Sequence, residues 1–69
     1  MSKSQLAWQY SPEVKQNTAL NRLARWINGD PELTAALRAA HYTPQQRILT
    51  ARQVAIIYDF LGTPEEFNT

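Results

Sequence analysis

Four short motifs divide this 69-residue chain: SPEV at 11–14, DPEL at 30–33, TPQQ at 43–46 and TPEE at 63–66. In each, a Ser, Asp or Thr oxygen can accept from the free N–H groups of a first helical turn. Proline follows at the first helical position, where its missing N–H costs nothing. SPEV, DPEL and TPEE add a Glu that suits the positive end of the helix dipole. A fifth start, TARQ at 50–53, has capping-box spacing without the proline. So dense a set of start signals predicts an all-α fold.

The starts and the two glycines set the expected elements. A first helix over about 12–28 ends at Gly29. Its residues Ala19, Leu20, Leu23, Ala24, Trp26 and Ile27 fall on one arc of about 160°. A second helix over about 31–40 places Leu33, Ala36, Leu37 and Ala40 on one face. His41 follows at its negative end, where a cation is favoured. Read as one helix, residues 44–61 would show apolar side chains all round. Broken at Thr50, they give a short helix over 44–49 and a longer one over 51–61 with Val54, Ile57, Tyr58 and Leu61 together, stopped by Gly62. A last turn is expected at 64–67. Unequal helices joined by tight turns predict a compact orthogonal bundle of four short helices plus that turn. Residues 1–10 are expected as a separate segment, partly ordered or docked on the last helix, with residues 11–69 as the helical domain.

Composition removes several classes of function. At 43% hydrophobic and 19% charged, the chain has a globular composition, at a length near the lower limit for folding alone. It has no Cys and a single His, so disulfides, thiolate sites and thiol catalysis are out and no metal is expected. Its only glycines are Gly29 and Gly62, both in helix-ending positions, which leaves no phosphate cradle. No nucleophile, base and orienter recur at a catalytic spacing. An enzyme is the least favoured class, and no cofactor is expected. The longest apolar run, Val54–Tyr58, is far below a membrane span. The opening MSKSQLAWQY lacks the apolar core of a signal peptide, so a cytoplasmic location is expected.

Nucleic acid binding is the second-ranked reading. Lys15, Arg22 and Arg25 lie on one side of the first expected helix and could meet phosphates. A helix-turn-helix fits two registers poorly or partly. Over 22–40 the would-be reading helix is mostly Ala. Over 33–53 the reading helix would be PQQRILTARQ, with Arg47 and Arg52 among side chains able to pair with bases or phosphates. LTARQVA resembles the opening of excisionase-type helix-turn-helix regulators over about seven residues. That resemblance would imply a turn soon after the Val–Ala pair. Here IIYDFLG continues the helix and acidic TPEEFNT follows, which removes the reading helix, so the family is not carried over.

The leading reading is a non-enzymatic regulatory or adaptor module acting by protein contact, with another protein or with itself as a homodimer. The last long helix carries Ile56 and Phe60 away from its main apolar face, with Leu49 nearby. Trp8 and Tyr10 of the N-terminal segment either cover that face or meet a partner. Charge is also uneven. Residues 1–52 hold all seven Lys and Arg against Glu13, Asp30 and Glu32, whereas residues 53–69 hold Asp59, Glu65 and Glu66 and no base.

Overall fold

The computed structural model describes residues 1–67, and they form a small, compact, all-helical domain with a Cα radius of gyration of 11.0 Å. The elements are α1 (Lys3–Tyr10), α2 (Gln16–Asn28), α3 (Pro31–Ala39), α4 (Ala51–Leu61) and α5 (Pro64–Phe67). No strand occurs among the described residues; one isolated antiparallel bridge joins Ser2 to Ile48. α1 packs along α2, α3 joins α2 to α4, and α5 returns to α1. Leu6, Leu23, Leu33, Leu37 and Ile57 are fully buried at the centre.

The expected fold class is met by a different set of helices. The N-terminal segment is itself a helix. Gln5 N donates to Ser2 Oγ (3.1 Å) and Ser2 N donates to Gln5 Oε1 (3.2 Å), a capping box that satisfies two donors at once. α1 then buries Leu6, Ala7 and Tyr10. Its end explains the SPEV motif. The residue before a proline is pushed out of the α region, and Ser11 sits at φ −137°, ψ 64° as the C-cap of α1. Pro12 therefore stops one helix instead of starting the next. Residues 11–14 form a turn, with Val14 N donating to Ser11 O (3.4 Å). α2 begins only at Gln16, not at Pro12 as expected, and its N-cap Lys15 supplies no side-chain acceptor.

The helix expected over 44–49 is absent. TPQQ does make a single turn, since Gln46 N donates to Thr43 O (3.1 Å) and Thr43 N to Gln46 Oε1 (3.4 Å). The chain then extends and pairs with the N-terminus. Lys3 N donates to Arg47 O (2.7 Å), and Leu49 N donates to Met1 O (2.8 Å). A helix of six residues is marginal by itself, and these long-range bonds, with burial of Leu49, decide the outcome. The helix over 31–40 and the helix over 51–61 do form, and their caps work as written. Asp30 Oδ1 accepts from Glu32 N and Leu33 N, and Thr50 and Gln53 exchange both bonds of a capping box. α3 closes with a Schellman pair: Tyr42 N donates to Leu37 O (2.9 Å) and His41 N to Arg38 O (3.0 Å). His41 takes the left-handed position there, at φ 65°.

Candidate interaction surface

The surface features are set from beneath by two buried side chains that each carry a hydrogen-bonding group. Gln53 sits in the first turn of α4, 1% exposed. Its Nε2 donates to Ala40 O (2.9 Å), and its Oε1 accepts from Thr50 N (3.1 Å) and from Gln46 Nε2 (2.5 Å). Gln46 Nε2 also reaches Ile48 O (2.6 Å). One amide thus satisfies backbone groups at the end of α3 and the start of α4 while fixing the loop between them. A buried amide so well partnered holds one conformation firmly.

That loop forms one wall of an open groove of about 560 Å³. Residues 2–4 at the start of α1, Leu20, Asn21 and Ala24 of α2, and residues 44–48 line it. Its apolar part is Leu20, Ala24 and Ile48. Ile48 is 64% exposed, the highest value among the large exposed hydrophobics. Alternation along the extended segment explains this: Leu49 faces the core, so Ile48 faces out. The charged lining is Lys3 and Arg47, with no acid among the described lining residues. Lys3 is held in place, with Nζ donating to Pro44 O (2.9 Å) and lying 5.1 Å from the Tyr42 ring centroid. Exposed Arg25 lies one turn beyond Asn21, a lining residue, on α2.

The second buried side chain, Tyr10, shapes the opposite end of α1. Its hydroxyl donates to Gly62 O, and its ring meets Trp26, Tyr58 and Phe67 edge-on, with centroids 6.2, 6.4 and 5.2 Å away. Phe67 also packs on Trp26 at 4.9 Å. Burial, with Tyr58 and Glu66 adding to it, pushes the Tyr10 phenol up to about 12. This knot seats α5 and its acidic first turn, where Glu65 and Glu66 are exposed beside a Phe67 that is 41% exposed.

The residues singled out from sequence fall into distinct places. Tyr10 and Leu49 are core, 1% and 3% exposed, and so leave the contact set. Trp8 is exposed, and its Nε1 donates to Val14 O (3.2 Å), clamping the turn after α1. Ile56 is half-buried against the core, while Phe60 is exposed. α4 has not two apolar faces but one arc of about 200° from Ile56 to Tyr58, centred on Ile57, and Gln53 lies inside it. The basic strip is interrupted: Arg22 pairs with Glu13 at 2.9 Å, leaving Lys15 and Arg25 exposed on either side. The second helix-turn-helix register loses its reading helix because residues 44–50 are a turn and an extended segment. Arg47 and Arg52 are both exposed, and Arg47 belongs to the groove. Lys3, Leu20 and Ile48 were missed. The Ser2–Gln5 spacing, with the same capping pattern as TARQ, was the signal that could have placed Lys3 at a helix start.

The family described as a domain of unknown function (DUF4248) matches residues 1–64, and the chain belongs to it. No curated protein and no solved structure matches the chain. No helix is long and apolar enough to cross a membrane among the described residues.

Proposed function

We propose that this member of the DUF4248 family is a small regulatory or adaptor module that works by protein contact and not by catalysis, with the groove between α1, α2 and residues 44–48 as its docking face. The observation that carries this reading is Ile48. A large β-branched side chain, 64% exposed, stands beside half-buried Leu20 and Ala24 on a loop that a buried amide network holds rigid. An exposed apolar anchor on a fixed scaffold, rimmed by charge, is the anatomy of a contact site. The two charged groups lining the groove are cations suited to an anionic partner.

Photocrosslinking in the source cells tests this. A benzophenone side chain at position 48 should form discrete protein adducts. The same group at Ala39, exposed on α3, should form few. Equal labelling from the two positions, or none from position 48, would remove the groove as the working face.

A further inference from the structure

The groove and the C-terminal end of the domain are complementary in charge and in apolar content, and they sit at opposite ends of one helix. The groove begins at Ser2–Ser4 and carries Lys3 and Arg47 around Ile48, Leu20 and Ala24. Exposed Arg25 follows one helical turn after its lining residue Asn21. The other end carries exposed Asp59, Glu65 and Glu66, Phe60 and Phe67 are exposed there as well, and residues 53–67 contain no Lys or Arg. Phe67 packs on Tyr10, the last residue of α1, so the eight residues of α1 separate the two surfaces by about 12 Å of helix. With α5 anchored there, a chain cannot place its own acidic end in its own groove. Only a second copy can bring the two together.

We propose that the occupant of the groove is the acidic, phenylalanine-bearing end of a second copy of this chain. The inference rests on the groove being the docking face and names its partner. The contact is head-to-tail: each copy offers a different surface on each side, so it does not close as a two-fold dimer and can propagate. The whole molecule exposes 4680 Å². A standard interface takes roughly 800 Å² from each partner, more than a loop-lined groove and one short helix provide, so the association is weak and reversible. Because its specificity is carried by opposite charges at the surface, it is also salt-sensitive.

Sedimentation velocity from 10 μM to 1 mM tests the proposal. At 25 mM NaCl the average mass should climb with concentration above the 7.9 kDa of one chain. At 300 mM, where screening shortens from about 20 Å to about 6 Å, the association constant should drop at least about tenfold. Two charge variants give the decisive arm. Arg25→Gln with Arg47→Gln disables the groove, and Asp59→Asn with Glu65→Gln disables the acidic end. Neutral side chains are used because charges reversed at both sites would pair with each other. All four residues are exposed, so far-UV circular dichroism should be unchanged. Each variant alone should stay monomeric. Their equimolar mixture retains one good groove and one good end, and should form dimers that grow no further. A wild-type monomer at 1 mM in low salt, or a mixture that stays monomeric, would overturn the second-copy inference. Adducts to other proteins from position 48 would still support the groove. A mixture growing past two chains would overturn the head-to-tail arrangement.

Discussion

Gln53 and Tyr10 are equally buried, at 1% exposure each, yet they hold the domain in different ways. Gln53 works through polar valence: its amide bonds the Gln46 amide and two backbone groups, Ala40 O and Thr50 N. Tyr10 works through area and ring edges, with one hydroxyl bond to Gly62 O. The groove depends on the first, and the acidic end depends on the second. A polar knot fixes an irregular loop because each bond specifies a position, whereas an aromatic knot seats a helix because it supplies contact area that tolerates small shifts.

The largest effect should come from Gln53→Ala. It strands Ala40 O, Thr50 N and the Gln46 amide inside the domain and leaves a cavity. We expect a loss of about 2–3 kcal/mol, measured by urea unfolding at 25 °C. A core of this size supplies roughly 3–5 kcal/mol, so the variant should sit near its midpoint in little or no urea. A loss below about 0.5 kcal/mol would mean that the polar knot is not what fixes the loop.

Gly62→Ala should come next. Gly62 sits at φ 81°, ψ 168°, a region that side chains other than glycine rarely enter, although a Cβ there would meet only Glu66 atoms at 3.6 Å or more. The cost is therefore backbone strain, about 1–3 kcal/mol, and it should loosen α5 while leaving the hydrogen-bonded amides of Gln46 and Leu49 as protected from exchange as before. Equal deprotection of both regions would show that the two knots are not separate.

Tyr10→Phe should be the mildest, about 1 kcal/mol, because the ring contacts remain. It also separates the two regions by pH. The Tyr10 phenol is raised to about 12 in the folded domain, against about 10 in an unfolded chain. Between those values the unfolded state releases the proton first, so stability present below pH 10 declines as pH rises toward 12. In Tyr10→Phe that part of the alkaline decline should vanish, whereas Gln53→Ala should keep it. Thermal melts from pH 9 to pH 11.5 on the three proteins would show whether it does.

How much of this was legible follows from where each bond partner lies in the chain. Asp30 and Thr50 cap with residues two or three positions away, so their starts could be read directly. Ser11 and Thr43 carry the same letters and start no helix. For Ser11 the reason is still local: proline disfavours helix at the residue before it. For Thr43 it is not local, because the segment is taken up by residues 1–3, more than forty positions away. The alternation in LAWQY hid α1, although Ser2 and Gln5 announced it. Gln53 could be read as a cap but not as a core residue, since a helical wheel ranks it with the polar side chains. Its burial depends on Ala40 and Gln46 meeting it in space. Ile48 and Lys3 escaped notice for the same reason: the groove exists only after the N-terminus and residues 44–48 pair.

The basic groove and the acidic end are held apart by α1. The most direct measurement is the ¹⁵N–¹H spectrum of the wild-type chain diluted from 1 mM to 10 μM in low salt. Concentration-dependent shifts should appear in two separate patches, residues 2–4, 20–24 and 44–48 on one side and residues 59–67 on the other, with the exposed face of α3 silent. Shifts centred on α3, or a spectrum that does not change over that range, would contradict head-to-tail contact.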